Sequence, residues 1–410
     1  MNKRKIGVIA DDFTGASDAA SFLAKSGNRT VLLTKLPQTL QSDCHCIVVA
    51  LKIRSVPADQ AIAEIEKVIQ FFEKNHVEQY YYKYCSTFDS TPKGNIGPVM
   101  DYLLERMHQP YTLLCPSLPI NGRTVKDGIL KVNGIPLAES SMKNHPLNPM
   151  WDSYIPNLMK EQSKYPCFPL SSEIMKSKEK LSAFIEQLKV HAHFYLVPDY
   201  TSDQEGALIH ERFAQLPVLS GGSGLLAHFK QDTSQKQDFA FDQRTQKAMI
   251  VCGSCSEMTR KQVQYFKTVR KNAYPIHSQA LLDHSIDAQK YARLLEEQLP
   301  NVCLVYSDGC ETTLKTTSET FLLESQLMEQ FLSELALLAK NSGFNKIIAA
   351  GGETSGAVML RLGYSSFFVG DSVSPGVPVL IPVEDTNMRI ILKSGNFGDE
   401  AFFLRAIEAK

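Results

Sequence analysis

The sequence has no excess of charge, no long apolar run and almost no tryptophan. Its 410 residues carry 43 Lys and Arg against 44 Asp and Glu, for a formal net charge of -1, and include one tryptophan. Nucleic-acid binding needs a basic surface that displaces counterions, so the balanced charge argues against a general nucleic-acid binder. No apolar stretch approaches the roughly 20 residues that span a bilayer, so we expect no membrane association.

Paired cysteine motifs are also scarce. The nine cysteines are an odd number in a long chain, which favours a reducing compartment, and we expect a cytoplasmic protein. The basic start ends in an apolar stretch that stops at Asp11, which predicts a strand and not a signal peptide. Cys252 and Cys255 form one isolated pair without the second pair of a structural zinc site. The sequence therefore assigns no metal ligands.

Both common nucleotide-binding motifs are missing. The absence of GxxxxGK[ST] excludes a P-loop NTPase. The absence of GxGxxG after the first strand weakens the case for a dinucleotide-dependent dehydrogenase. The glycine-rich corner from Ser220 to Gly224 ends an apolar run, and we interpret it as a packing turn or the start of a helix.

What the sequence does contain is an alternation of short apolar runs with amphipathic stretches. Ile6–Ala10, Gln79–Lys83 and Lys346–Ala350 are typical of buried strands, and Ala58–Lys74 of a helix with one apolar face. Two further helices are predicted to begin at Ser17 and at Ser355. This alternation predicts an α/β fold with mainly parallel sheets covered by helices. The length is too great for one core, so we expect two α/β domains, residues 1–232 and 246–410, joined by a polar linker at about 231–246.

One segment of the first domain breaks the alternation. Residues 116–165 are rich in Asn, Gly and Pro and have little periodicity, which predicts an irregular insertion. Within it, Asn133 and Gly134 stand between apolar residues, and this pair predicts a hairpin turn.

Three glycine-rich turns follow predicted strands in the second half. The first contains Gly351, Gly352, Glu353 and Thr354, the second contains Ser254, and the third contains Gly395. Ligands of open α/β sheets bind at the carboxyl ends of strands, and a glycine turn lets backbone N–H groups approach an anion. Tight packing would explain one such turn, but three in one domain predict a nucleotide or phosphate site.

Two adjacent carboxylates, Asp11 and Asp12, follow the first strand directly. They repel each other, and burying either one costs free energy unless it is paired. Capping of the next helix by Asp12, Thr14 or Ser17 would explain one acid but not both. A carboxylate here could instead bind Mg²⁺ or accept a proton from a substrate hydroxyl.

A polar loop follows the strand that ends at Lys83. Its hydroxyl, carboxylate and amide side chains suit a small hydroxylated anion and include Ser86, Asp89, Ser90, Thr91 and Asn95. Further along, Arg123 could bind a carboxylate through two hydrogen bonds. A surface salt bridge is an equally good explanation of Arg123.

Together these segments resemble the four-carbon acid sugar kinase family. The motifs are Asp11 to Asp18, the loop from Cys85 to Gly97, Gly351 to Gly356, and Lys393 to Gly398. The resemblance runs from about Ile6 to Phe403, and it implies ATP-dependent phosphorylation of the 4-hydroxyl of a four-carbon sugar acid. The loop from Cys85 to Asn95 is most similar to the branch that acts on 3-oxo-tetronate, with D-threonate or D-erythronate as the alternative substrate.

The resemblance also implies roles. It places the acid sugar on the first domain and ATP on the second, with nucleotide contacts at Ser254, at 351–354 and at Gly395. We expect Asp12 or Asp11 to be the base, with Asp89 as the alternative. Lys83 and Arg123 would hold the substrate carboxylate, and Mg²⁺ would bridge the ATP phosphates.

Other interpretations stay open. A sugar-acid dehydrogenase or a non-catalytic sensor would also bind a small acid. The oligomeric state cannot be read from the sequence, and a homodimer stays open as well.

Overall fold

The structure is a computed structural model, and it describes residues 4–40, 44–88, 90–144, 149–230, 247–298, 301–310 and 318–410. The chain forms two compact units, Met1–Val31 with Leu36–Ser234 and Leu32–Lys35 with Gln235–Lys410. The predicted linker at 231–246 and the candidate base Asp89 lie outside the described residues.

The first unit alternates strands and helices as expected. Its strands are β1 Ile6–Ala10, β2 Thr30–Leu33 (whose end is counted with the second unit), β3 Cys46–Ala50, β4 Gln79–Lys83, β5 Tyr111–Leu113, β6 Arg123–Lys126, β7 Ile129–Val132, β8 Ile135–Pro136, β9 Cys167–Leu170, β10 Phe194–Pro198 and β11 Val218–Gly221. Its helices are α1 Phe13–Lys25, α2 Ala58–Lys74, α3 Ile96–Arg106, α4 Ile155–Lys160, α5 Ser172–Lys176, α6 Lys178–Leu188 and α7 Asp203–Phe213.

The main sheet of this unit has the order β11-β4-β1-β3-β2. Strand β1 pairs in parallel with β3 and β4, so that Ala10 lies opposite Ala50 on one side and Lys83 on the other. All residues of these three strands are buried, as expected for parallel strands covered on both faces. After β3 the chain crosses to the other side of β1, so the carboxyl ends of β1 and β4 flank a topological switch point, where such sheets bind ligands.

The predicted insertion contains a small antiparallel sheet in the order β6-β7-β8. The turn between β7 and β8 is the Asn133-Gly134 pair, with φ of 51° and 84°. Positive φ at both positions is what a tight hairpin turn requires, so the hairpin prediction is confirmed. A second small sheet, β5-β10-β9, pairs in parallel.

The second unit is built around a mixed sheet in the order β16-β17-β18-β15-β12-β14-β13. Its strands are β12 Ala248–Cys252, β13 Ala273–Ile276, β14 Val302–Ser307, β15 Lys346–Ala350, β16 Ser366–Ser374, β17 Val377–Pro382 and β18 Arg389–Lys393. Its helices are α8 Glu257–Val269, α9 Ser278–Leu282, α10 Ala288–Gln298, α11 Ser318–Asn341, α12 Gly352–Leu362 and α13 Phe402–Glu408.

Parallel pairing in this sheet aligns the strand ends that matter for function. Cys252 of β12 lies opposite Ala350 of β15, which in turn lies opposite Lys393 of β18. The antiparallel strands β16 and β17 were not predicted, but the remaining pairs from β18 to β13 are parallel. The predicted α/β class with mainly parallel sheets is confirmed.

Two helices begin earlier than the periodicity predicted. Helix α1 begins at Phe13 and not at Ser17, and α12 begins at Gly352 and not at Ser355. The first turn of α1 is buried, so its small and polar residues face protein and hide the amphipathic pattern that marks a helix start.

Candidate functional site

Charged side chains of the first unit meet at the carboxyl edge of its main sheet. Asp11 and Asp12 follow β1, Arg54 stands in the loop after β3, and Lys83 is the last residue of β4. Parallel strands end at one edge, so residues that are distant in sequence come together there.

Arg54 neutralises both adjacent carboxylates. Its Nε and Nη2 each donate to Asp11, at 2.8 Å to Oδ2 and Oδ1, and Nη2 also lies 2.9 Å from Asp12 Oδ1. Burial lowers the pKa of Arg54, but the two carboxylates outweigh it and raise that pKa well above its ordinary value. Burial raises the pKa of Asp11 against the opposing charge of Arg54. This guanidinium explains how two neighbouring acids can be buried together.

Asp12 also caps helix α1. Its Oδ1 accepts a hydrogen bond from the Gly15 N–H at 2.6 Å, and its Oδ2 accepts one from Thr14 Oγ1 at 2.8 Å. Burial works against ionisation of Asp12, but Arg54, Lys83 and these hydrogen bonds together hold its pKa below the ordinary value. The sequence-based cap is therefore present, and Asp12 stays ionised at neutral pH.

Because Gly15 has no side chain, the capping carboxylate of Asp12 and the ammonium of Lys83 can both lie close to it. A Cβ at this position would lie 2.4 Å from Asp12 Oδ1 and 3.2 Å from Lys83 Nζ. A side chain there would push the charged groups apart, so only glycine fits this turn of the helix.

Lys83 is buried between a backbone carbonyl and a third carboxylate. Its Nζ donates to Tyr84 O at 2.9 Å and lies 3.8 Å from Asp18 Oδ2, which also accepts from Ser223 Oγ at 2.5 Å. Burial raises the pKa of Asp18 to about 6, although Lys83 and the Ser223 hydroxyl act in the opposite direction.

The polar loop after β4 is fastened to the Arg54 loop. Asn95 Nδ2 donates to Ile53 O at 2.6 Å and Val56 O at 3.0 Å. Ser90 Oγ donates to Gln162 Oε1 at 3.2 Å, and Ser86 is buried. A small polar cavity lies between the two loops and is lined by Arg54, Ser55, Val56, Ser90, Thr91, Lys93 and Gly94.

Arg123 begins β6 and points into the protein. Its Nη1 donates to Asn121 O, and its Nε is buried without a hydrogen-bond partner among the residues that the structure describes. Burial lowers the pKa of Arg123. No carboxylate of the described chain forms a salt bridge with it, so the surface salt bridge is not what the structure shows.

The three glycine turns of the second unit lie side by side. Gly351 N donates to Lys393 O at 2.8 Å, while the N–H groups of Gly253 and Ser254 both reach Ala350 O at 3.2 Å. A Cβ on Gly395 would lie 2.8 Å from Ser254 Oγ, and one on Gly253 would lie 2.3 Å from Thr354 Oγ1. The aligned ends of β12, β15 and β18 thus bring the predicted turns together.

A buried lysine and a threonine hold these turns. Lys393 Nζ donates to Gly395 O at 2.6 Å and to Thr259 Oγ1 at 3.0 Å, and Thr259 Oγ1 reaches Gly395 O at 2.8 Å. Helix α12 begins at Gly352, directly after Gly351 with φ of 119°. The N–H groups in the first turn of such a helix suit an anionic phosphate.

The sequence analysis assigned no site role to five residues of these two clusters. They are Arg54, Asp18, Ser223, Thr259 and Lys393. Arg54 could have been found, because it follows the strand next to β1. The others become visible only through burial and hydrogen bonding in the folded chain.

No group of three or more His, Cys, Asp or Glu side chains within the described ranges could hold a metal ion. Nor does that part of the chain contain a helix with the length and apolar character that a bilayer crossing needs.

Two family models match the chain. A family described as sugar-binding N-terminal domain matches residues 6–229, and one described as nucleotide-binding C-terminal domain matches residues 249–403. The 3-oxo-tetronate kinase of Haemophilus influenzae is 38% identical and covers 97% of this chain and 98% of its own. That of Salmonella typhimurium is 36% identical over 98% of both chains.

Solved structures have the same fold. A protein of Salmonella typhimurium LT2 matches with a TM-score of 0.82 at 35% identity, over 99% of this chain and 100% of that chain. A protein of Haemophilus influenzae matches with a TM-score of 0.72 at 34% identity, over 98% of both chains.

Proposed function

Because the chain belongs to the four-carbon acid sugar kinase family, we propose that it transfers the γ-phosphoryl group of ATP to the 4-hydroxyl of 3-oxo-tetronate. The observation that carries the proposal is the pairing of two sites in one chain. The first unit gathers cations and carboxylates at a sheet switch point, and the second gathers three glycine turns at a helix start.

The charge pattern of the first site fits a sugar acid. Lys83 and Arg123 would hold the substrate carboxylate, since the Arg123 Nε–H is unpaired within the described chain and an ammonium carries three donors. Ser86, Ser90, Thr91 and Asn95 stand in the loop that borders the polar cavity and would contact the sugar hydroxyls.

Asp12 is the proposed base. The Asp12 side chain is 16% exposed, whereas that of Asp11 is 2% exposed and is held by Arg54 through both oxygens. The 4-hydroxyl oxygen would attack the γ-phosphorus while its proton passes to Asp12. The bond from that phosphorus to the bridging oxygen would break, and ADP would leave. Asp11 would position Arg54, and Asp89 is the alternative base.

The second site would hold the nucleotide. The backbone N–H groups of 352–354, with Ser254 and Gly395, would surround the phosphates, and Gly351, whose own N–H donates to Lys393 O, would form the turn that leads into them. Mg²⁺ would be bound chiefly through the ATP phosphates and water, as is usual for this ion. When bound, the ion supplies neutralising charge on the phosphates.

The proposal is tested by ADP release from ATP with a panel of four-carbon acids. We expect kcat/KM to be highest with 3-oxo-tetronate and lower with D-threonate and D-erythronate. Higher kcat/KM with threonate or erythronate would change the substrate but keep the kinase. Binding without ADP release would indicate a sensor, and a nicotinamide absorbance change would indicate a dehydrogenase.

Asp12→Asn tests the base. Asparagine is as good a helix cap as aspartate, so the variant should fold. We expect kcat to fall about 10²- to 10⁴-fold, because general base catalysis usually contributes that much. A kcat within about tenfold of wild type would remove Asp12 from this role and direct attention to Asp89.

A further inference from the structure

Asp18 has a hydrogen-bonding capacity that the protein itself does not use. The residue is 5% exposed, and its Oδ1 has no hydrogen-bond partner in the part of the chain that the structure describes. Its other oxygen, Oδ2, accepts from Ser223 Oγ and faces Lys83. A buried carboxylate oxygen without a donor is costly, so a donor from a ligand would be strongly favoured there.

The two acids of the β1 turn differ from Asp18 in this respect. Both oxygens of Asp11 are bound by Arg54, and both oxygens of Asp12 accept hydrogen bonds from the first turn of α1. Among these three acids, Asp18 alone presents an unoccupied acceptor.

The surroundings of Asp18 determine which ligand group it would receive. Lys83 Nζ lies 3.8 Å from Asp18 Oδ2, and the charge of Arg123 also acts on Asp18. These are the cations proposed for the substrate carboxylate. An ionised carboxylate only accepts hydrogen bonds. In 3-oxo-tetronate the only donors are the hydroxyls at C2 and C4, and the C2 hydroxyl is the one beside the carboxylate.

We infer that Asp18 is a specificity-determining residue that accepts a hydrogen bond from the C2 hydroxyl of the acid sugar. This inference rests on the proposed function, in which the loop after β4 contacts the sugar hydroxyls as a group, and it names Asp18 as the acceptor of the C2 hydroxyl. The C2 hydroxyl of the substrate would then bind Asp18, and the C4 hydroxyl would bind Asp12.

The test compares two substrates in two forms of the full-length protein. The substrates are 3-oxo-tetronate and 4-hydroxy-3-oxobutanoate, which lacks only the C2 hydroxyl, and the proteins are wild type and Asp18→Asn. We expect the variant to lose about 10- to 100-fold in kcat/KM with 3-oxo-tetronate, the usual effect of a hydrogen bond to a charged group. With the deoxy substrate the loss should be under threefold.

Asp101→Asn is the matched control. Asp101 is 6% exposed, but its oxygens accept from Ser163 Oγ, Tyr195 Oη and the Lys164 N–H. Its replacement should change kcat/KM equally for both substrates. The pH profile of kcat/KM adds a second readout. Burial raises the pKa of Asp18 to about 6, and the charges of Lys83, Asp12 and Arg123 also act on that pKa. The acid-side decline of kcat/KM near that pH should be present in wild type and absent in Asp18→Asn.

Equal losses of Asp18→Asn with both substrates, or no loss with either, would overturn the assignment. Should the variant not fold, wild type alone decides. It should prefer 3-oxo-tetronate over the deoxy substrate by at least about 100-fold, and a preference under tenfold would overturn the assignment. If wild type phosphorylated no four-carbon acid at all, the proposed function would fail and this inference with it.

Discussion

Replacing Arg54 by methionine should expose how much the paired acids depend on one guanidinium. Arg54 binds Asp11 through two hydrogen bonds of 2.8 Å and lies 2.9 Å from Asp12. The Asp11 side chain is 2% exposed, so the variant would leave a buried carboxylate without its cation. Removing one partner of a buried pair costs about 3–5 kcal/mol. At about 2–4 °C per kcal/mol for a unit of this size, Tm should fall by about 6–20 °C.

The loss of stability in Arg54→Met should depend on pH, and the direction of this dependence follows from the number of protons that the folded state binds. In wild type the folded pKa of Asp12 is lowered, so its stabilisation is present above the unfolded pKa and is lost as pH falls through the folded one. Arg54→Met removes the cation that lowers both pKa values, so we expect burial to raise the folded pKa of Asp11 further above its unfolded value and to move that of Asp12 upward. The folded state then binds more protons, and its stability decreases as pH rises through that range. We therefore expect a smaller Tm difference between wild type and variant at pH 5 than at pH 8.

Arg106→Met is the control for this experiment. Arg106 also lies between two carboxylates, Glu73 at 2.9 Å and Glu66 at 3.5 Å, but its side chain is 34% exposed. Exposed pairs contribute about 0–1 kcal/mol, so Tm should change by a few degrees at most. The reasoning is refuted if the two variants lose equal stability, or if the loss in Arg54→Met is the same at pH 5 and pH 8. Adding Asp11→Asn to Arg54→Met should restore part of the stability.

Three further predictions concern substitutions of single residues. Gly395→Ala would place a Cβ 2.8 Å from Ser254 Oγ, so the KM for ATP should rise at least about tenfold while the KM for the acid sugar stays unchanged. In Gly352→Ala the new Cβ meets no atom of the described residues within 4 Å beyond its chain neighbours and its own helix backbone, so Tm should be kept. A raised KM for ATP would then report contact with the nucleotide, whereas an unchanged KM would contradict the proposed phosphate site. Asn95→Ala removes the donor to Ile53 O and Val56 O, which should lower the free energy of unfolding by about 1–3 kcal/mol in denaturant titrations. An unchanged free energy of unfolding would contradict this structural role, and a raised KM for the acid sugar in the same variant would report the substrate contact proposed above.

Much of the fold could be predicted because its signals are local. The helix Ala58–Lys74 and the strands Ile6–Ala10, Gln79–Lys83 and Lys346–Ala350 have the predicted bounds, since their apolar periodicity reports burial directly. The hairpin at Asn133 was predictable because the turn needs residues that tolerate positive φ. The antiparallel strands β16 and β17 were not predicted, although the turn that joins them, Pro375-Gly376 with φ of 80° at Gly376, is itself a local hairpin signal.

The sequence by itself determined which kinds of chemistry the chain can hold. Glycines after strands, adjacent acids after β1 and hydroxyls after β4 lie in short contiguous motifs, and their residue types limit what they can bind. Only the tertiary structure decided which charges neutralise which. Arg54 meets Asp11 across 43 positions of the chain, and Ser223 meets Asp18 across 205. Such pairs depend on strand order and burial, because a charge buried in a protein is stabilised by whatever partner folding brings to it and not by its neighbours in sequence.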